Sequence, residues 1–386
     1  MRIAYLHGGT IPSFFANGVQ VMRMCDAFTA AGHDVTLYTA PGSYPADDAY
    51  AYYGVRHRFP IRAVPIPEDT PAGYWRRAER VRDLLAGDTA PDLVYGRDPY
   101  GLAAAADLAP FVYEVHQIRR DVSPPGTEHR LLGHQRLARV VAITHALARD
   151  FQEAHAALGP LPILVAPDCA DPPAPPTAAA PTLPGRPDVP RIGYVGHLYD
   201  GRGIDLILEL ADRLPGLDFH LIGGAAEDRA RWEGSCGLPN VFFHGHRPPA
   251  ELPSYYPSFD VVLAPYQRKV YTWGRLGETG RWASPMKLFE YMSHGRPIIA
   301  SDLPVLREVL QDGVNCLLRP PDEPDAWADA LAGLVANGAL RRALGDEARR
   351  QLLDRYTWRR RADRVLAGLP GPRGESSPNK HAANGF

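Results

Sequence analysis

Lys287 lies in the segment Trp282-Ala-Ser-Pro-Met-Lys-Leu-Phe-Glu-Tyr-Met292, where Pro285 opens a helix and the lysine falls in its first turn. Proline is tolerated there because its missing N–H has no helical partner in any case. Such a helix start presents free amides and a partial positive charge, which suits a phosphate or diphosphate. A cation at the positive end of a helix is unfavourable by itself, so Lys287 reads as a residue with an anion to meet. The plain alternative is a surface lysine. Lysine is scarce, however: of 42 basic residues only Lys269, Lys287 and Lys380 are lysines, which weakens filler as an explanation. Glu290 follows one turn later on a mostly apolar helix. If the helix start at Ser284, Pro285, Met286, Lys287 and Leu288 holds phosphates, Glu290 is placed to accept hydrogen bonds from two hydroxyls of a ribose.

A second phosphate-type element is Gly196-His-Leu-Tyr-Asp-Gly-Arg-Gly203, between a strand and a helix. Gly196 and Gly201 have P-loop spacing, but Arg202 stands where that motif has lysine, and Gly203 replaces its Ser/Thr. A nucleotide hydrolase is therefore disfavoured, and no Gly-x-Gly-x-x-Gly supports dinucleotide binding. Arg202 can grip a diphosphate bidentately, with His197 as a second donor whose charge depends on pH. His116 directly follows the apolar run 111–115, at a strand end. The Gly8-Gly9 turn after the first strand and Asn17-Gly18 at the next helix start let backbone approach a ligand closely.

The elements that must position these residues alternate. Strand patterns at 2–6, 35–38, 93–95, 111–115, 140–143 and 163–166 are separated by helix patterns at 17–31, 73–87, 101–107, 130–137 and 145–157. That order predicts a parallel sheet with helices on both faces. Residues 171–190, rich in proline, read as an extended linker. The alternation then restarts with strands at 192–195, 219–222, 241–243, 261–264, 298–300 and 315–319, a helix at 204–213, and closing helices across 324–367. The expected organisation is α/β: two Rossmann-like domains with parallel sheets facing across a cleft. It comprises a first domain at 1–170, a linker at 171–190, a second domain at 191–350, a C-terminal helix at 351–369 and a disordered tail at 370–386. Ligands of open parallel sheets bind outside the strands' carboxyl ends, so the cleft should collect the residues above.

The chain has 386 residues and net charge −2, which argues against nucleic acid as a partner. Four scattered cysteines indicate neither a disulfide framework nor a zinc site. The apolar start is too short for a signal-peptide core, and no stretch reaches the ~18 apolar residues of a membrane span. A cytoplasmic protein is the expectation. No Asp-x-Asp is present, which argues against a metal-dependent sugar-nucleotide site.

Together these features resemble the family 4 glycosyltransferases of GT-B fold, in particular a bacterial subgroup carrying Ser-Pro-x-Lys-Leu-Phe-Glu-Tyr-Met. The resemblance covers roughly residues 1–365. It includes Ala16-Asn-Gly-Val-Gln-Val-Met-Arg-Met-Cys-Asp-Ala-Phe28, the histidine after the first-domain strand, the Gly-His-Leu-Tyr loop and Tyr356-Thr-Trp358, where the last helix crosses back to the first domain. It implies sugar transfer from a nucleotide-diphosphate donor with retention, no cofactor and no obligatory metal. The acceptor would be a small molecule or a lipid-linked saccharide, in surface-polysaccharide, glycolipid or natural-product biosynthesis.

By the same resemblance His116 and Arg202 are the catalytic candidates. Gly18, His197, Arg202 and the amides of residues 284–288 would hold the diphosphate, Glu290 the ribose, and backbone at Gly245 and His246 the base. His116 would touch the donor sugar. Trp282 occupies the position where many family members carry a glutamate that helps hold that sugar; Glu278 is a possible substitute. A catalytically impaired partner protein and a nucleotide-sugar 2-epimerase are the alternative readings. Acceptors in this fold lie on the first domain, where the tyrosine-rich stretch 41–53, with Asp47 and Asp48, reads either as a solvated loop or as a surface that stacks on and neutralises a polar acceptor. Arg76, Arg77, Arg80 and Arg82 would face anionic lipid in a peripheral membrane contact, or simply solvent.

Overall fold

A computed structural model describes residues 1–42, 48–87, 90–119, 126–173, 181–271, 280–369 and 371. The first unit runs β1 (Arg2–Ile11), α1 (Ala16–Ala30), β2 (Asp34–Pro41), α2 (Ala49–Tyr53), β3 (Ile61–Ala63), α3 (Pro71–Gly87) and β4 (Leu93–Gly96). It continues with α4 (Pro99–Ala105), β5 (Phe111–Val115), α5 (Thr127–Leu132), β6 (Leu137–Ala142), α6 (His145–Ala154) and β7 (Ile163–Val165). The second runs β8 (Arg191–Val195), α7 (Ile204–Arg213), β9 (Asp218–Ile222), α8 (Ala226–Ser235), β10 (Val241–Gly245) and β11 (Val261–Ala264). It closes with α9 (Met286–Ser293), β12 (Ile298–Ser301), β13 (Leu317–Arg319), α10 (Pro324–Ala336), α11 (Gly338–Arg355) and α12 (Trp358–Leu366).

The sheets have seven and six strands, ordered β3-β2-β1-β4-β5-β6-β7 and β10-β9-β8-β11-β12-β13. Every strand pairing is parallel. Strand order reverses between β1 and β4 and between β8 and β11, and loops leaving such switch points diverge to open a crevice. Both faces of each sheet are buried under helices, which explains the near-continuous apolar runs of Val140–Ala142 in β6 and Val261–Ala264 in β11. Trp358, Ala362 and Val365 of α12 lie in the first sheet's core, so the last helix packs on α1 although it follows the second domain.

Several expectations are corrected. Gly8-Gly9 is not a turn: β1 continues to Ile11, with a register shift against β2 between Leu6 and Thr10, because Thr10 re-pairs with Ala40. The helix expected over 130–137 is displaced to Thr127–Leu132, and 137 already belongs to β6. Short α2 and β3, and the polar α8, have no strong period and were not anticipated. Pro285 is the residue before α9 rather than within it, with extended backbone (φ −73°, ψ 117°). Arg77 faces neither lipid nor water. It is buried and bonds Val64 O, Asp98 Oδ2 and His7 O, while Arg76, Arg80 and Arg82 are exposed. Residues 174–180 of the linker, Asp47 of the tyrosine-rich stretch, and 370 and 372–386 of the tail lie outside the described residues. Among the described residues no helix is long and apolar enough to cross a membrane.

Candidate active site

The loop leaving β8 turns back under α9. A Cβ at Gly196 (φ +145°) would sit 2.7 Å from Lys287 Nζ, and one at Gly203 (φ +74°) 1.9 Å from Pro265 O. Only glycine lets the loop pass this close to both neighbours. Lys287 is no surface lysine. It is 9% exposed, and its ammonium lies 3.7 Å from the centre of the Tyr194 ring and 5.2 Å from that of Tyr266.

Arg202 approaches the same Tyr266 ring at 5.4 Å and the Tyr199 ring at 4.9 Å. Among the described residues, neither Lys287 Nζ nor Arg202 Nε has a hydrogen-bond partner. Burial, reinforced by Arg202, pushes the Lys287 ammonium well below its ordinary pKa, with Glu290 opposing. Two cations thus share one tyrosine-lined recess with no paired acid among the described residues, an arrangement that an anion would stabilise.

His197 sits beside them and stacks on Tyr199 at 4.9 Å. Burial, then Arg202 and Lys287, lowers its pKa to about 3. The expectation of a pH-dependent charge at this position is therefore corrected: in the free protein the ring is neutral at physiological pH, because the low-dielectric recess already holds two cations.

Helices α1, α7 and α9 begin without a side-chain cap, at Phe15, Gly203 and Pro285 respectively. In α9 the Leu288 amide already donates to Pro285 O (3.0 Å), and its side chain is in the second-domain core. Leu288 is thereby removed from the expected anion contacts, and the Met286 and Lys287 amides remain at the helix opening. Ser284 Oγ accepts from the Asp168 amide at 2.9 Å, tying the helix approach to the linker. Gly18 is a packing residue: its amide donates to Phe15 O, and a Cβ there would sit 2.6 Å from Tyr53 Oη.

Glu290 accepts from Tyr256 Oη at 2.7 Å. Burial raises its pKa, against that hydrogen bond, Arg23 and Lys287. Gly245 O accepts from the Gly223 amide. His246 Nε2 lies 3.0 Å from Tyr52 Oη, so this edge of the cleft is bridged by α2 of the first domain. Phe14 reaches both His197 and His246, at 6.1 and 6.4 Å between ring centres.

Across the cleft, His116 Nε2 is 2.8 Å from Glu114 Oε1. Burial and then Arg97 lower its pKa to about 4, against Glu114. His7, at the end of the β1 switch point, is neutral for the same reason, pushed to about 3 by burial, Arg97 and Arg77. Trp282 packs, partly buried, against the cores of both domains. Its indole N–H donates to Asp150 Oδ2 (2.7 Å), which Arg281 Nε also meets at 2.7 Å, so it braces the second domain against α6. Its one polar hydrogen is spent there, so the donor-sugar contact expected of it would fall to the ring face. Glu278 lies outside the described residues.

Tyr194, Tyr266, Phe14 and Glu114 were missed in the sequence, whereas Tyr52 lies in the tyrosine-rich stretch considered there for the acceptor. No spacing singles them out; only Glu114 carried a signal, a charge inside an apolar strand pattern.

Asp168, on the strand-to-linker turn, is buried with Oδ1 unbonded among the described residues. Burial raises its pKa from 3.8 to about 7, with Arg361 opposing and Glu114 reinforcing. Below the lower value both folded and unfolded chains are protonated. Between the two values the unfolded chain has lost the proton that the folded chain keeps, so stability falls as pH rises and the full penalty persists above. Asp168→Asn is expected to stabilise by on the order of 1–3 kcal/mol near pH 8 and to change nothing near pH 4. Urea midpoints at the two pH values measure this.

Two parallel-sheet domains with a buried cationic recess at the strand ends define the GT-B fold. Family models agree: residues 17–168 match the "Glycosyl transferase 4-like domain" and residues 189–337 match "Glycosyl transferases group 1". The chain belongs to the GT-B glycosyltransferases of family 4. It is 32% identical over 189 residues to a phosphatidyl-myo-inositol mannosyltransferase of Mycobacterium tuberculosis (47% of this chain, 44% of the relative). It is 27% identical over 209 residues to a D-inositol 3-phosphate glycosyltransferase of Corynebacterium urealyticum (50% of this chain, 46% of the relative). The matched segments thus span less than half the length of these relatives. Sucrose-phosphate synthase of Thermosynechococcus elongatus shares the fold at TM-score 0.70 and 18% identity, covering 95% of this chain and 97% of that one. So does Anabaena HepE solved with UDP-glucose, at TM-score 0.67 and 17% identity, covering 96% and 100%.

Proposed function

We propose that the protein is a retaining glycosyltransferase of the subgroup with a Ser-Pro-x-Lys-Leu-Phe-Glu-Tyr-Met motif. It moves a sugar from a nucleotide-diphosphate donor to an acceptor hydroxyl. The observation that carries this reading is the convergence of Lys287 and Arg202, two cations without an acid partner among the described residues, on one recess flanked by uncapped helix starts. The leaving group of the reaction is a nucleoside diphosphate. As the glycosidic bond breaks, negative charge grows on its distal phosphate, and Arg202, Lys287 and the Met286 and Lys287 amides are preorganised to meet it. Glu290 takes the ribose, backbone at Gly245 and His246 the base, and His116 the donor sugar. The acceptor proton passes to the departing phosphate, so no separate base and no metal is required.

For the acceptor we favour a lipid-linked saccharide in surface-glycan or glycolipid assembly. Support comes from relatives named for phosphatidyl-inositol and teichuronic acid chemistry. The protein would then work at the inner membrane face.

Purified protein is expected to gain thermal stability with one nucleoside diphosphate from a panel, and to transfer the matching sugar to a membrane extract. Arg202→Ala and Glu290→Ala should each weaken nucleotide binding by about tenfold or more. Unchanged binding in both variants would refute the site. Conversion of the nucleotide sugar without acceptor would identify an epimerase instead.

A further inference from the structure

Glu114, in β5, is completely buried, and its neighbours direct hydrogens at it. Gln20 Nε2 donates to Oε1 at 2.6 Å, Tyr95 Oη donates to Oε2, and Arg361 Nη1 donates to Oε2 at 3.1 Å. Arg361 Nη2 lies 3.1 Å from Oε1, and the paired side chains are 1% and 0% exposed. Gln20 is itself oriented, since its Oε1 accepts from Arg97 Nη1 at 3.1 Å. Arg361 meets both carboxyl oxygens and neither its nitrogens nor the Gln20 amide can accept a hydrogen bond, so the carboxyl is held as an ionised, accept-only group. Burial alone would raise its pKa, but Arg361 and His116 hold it far below the usual carboxylate range.

The remaining contact is His116 Nε2 at 2.8 Å. Because Glu114 can only accept, the ring must donate. A neutral imidazole has one N–H, so Nδ1 is left as a bare acceptor.

We propose that Glu114 is the positioning residue of His116: it fixes the Nε2–H tautomer so that Nδ1 accepts from a hydroxyl of the transferred sugar. Arg361, carried in from the C-terminal helix α12, keeps Glu114 charged. The crossing helix therefore contributes to the polarity of the sugar site as well as to the packing of the first domain. This inference rests on the reading of His116 as the donor-sugar contact.

The test is the tautomer of His116 by long-range ¹H–¹⁵N correlation, its signals assigned by their loss in His116→Ala. The wild-type ring is expected to be wholly Nε2–H. In Glu114→Gln, whose amide can also donate, the ring is expected to become a tautomer mixture. Transfer should fall at least about tenfold in kcat, with donor KM within about twofold and the nucleotide-induced thermal shift unchanged. If the unpaired Arg361 unfolds that variant, Glu114→Gln/Arg361→Gln removes both charges together and should show the same loss of kcat. An Nδ1–H ring in the wild type, or wild-type kcat in the folded single or double variant, would overturn the proposal. The tautomer measurement needs no substrate, so it decides the inference even if no donor is turned over, an outcome that would instead count against the transferase reading. Wild-type transfer by His116→Ala would remove the sugar contact alone.

Discussion

Lys287→Met is expected to stabilise the ligand-free protein while reducing sugar transfer by about 10²–10³. The two effects share one cause. In the free protein the ammonium is withdrawn from water, lacks a hydrogen-bond partner among the described residues, and shares the Tyr266 ring with Arg202. Its compensation is the Tyr194 face 3.7 Å away. Methionine has a similar length, can lie on the same rings and carries no charge to desolvate. The gain should be about 1–3 kcal/mol, the usual cost of an unsatisfied buried polar group.

The same change removes a cation aimed at the diphosphate, whose charge is largest when the sugar has left. Melting curves with and without nucleotide separate the two effects. The variant should melt higher than wild type alone and gain little when nucleotide is added. A variant with a wild-type nucleotide-induced shift would show that the anion sits elsewhere.

Arg77→Ala is expected to cost about 3–5 kcal/mol, whereas Arg80→Ala on the same helix should stay within about 0.5 kcal/mol. Arg77 is buried, and it closes three structural gaps from one guanidinium. It pairs with Asp98 at 2.9 Å, satisfies Val64 O beside edge strand β3, and satisfies His7 O in β1. Asp98 in turn caps α4 by accepting from the Tyr100 amide. Removing the guanidinium leaves a buried carboxylate and two carbonyls without their partner, and leaves a cavity. Arg80 is exposed, and its loss removes little that water does not replace. Urea midpoints of the two variants provide the comparison. Equal midpoints would show that Asp98 finds another donor. Because His7 lies at the switch point, Arg77→Ala should also loosen the first-domain side of the cleft.

The strand–helix alternation, the expected cleft at the strand ends and the glycine loop before α7 were legible in the sequence. Each rests on local physics: the period of apolar residues, the φ freedom of Gly196 and Gly203, and the helix opening after Pro285. Boundaries drifted where local signals were weak, as at Gly8-Gly9, where a glycine pair in sequence became a shifted strand in the sheet.

By itself, then, the sequence determined the order of elements, the two-domain α/β class and the short segments where an anion can meet backbone amides. Tertiary structure decided which charged side chains belong to the site and what state they hold. Among the four arginines of α3, burial and three acceptors selected Arg77 for the interior. Trp282 was spent on Asp150, and His197 was made neutral by its cationic neighbours. His116 acquired a fixed tautomer through Glu114 and a helix 247 residues further along the chain. The physical reason is that charge state and hydrogen-bond polarity depend on desolvation and on partners a few ångströms away in space. Lys287 shows both levels at once: its place at the positive end of a helix was readable in the chain, but its burial beside Arg202 exists only in the fold.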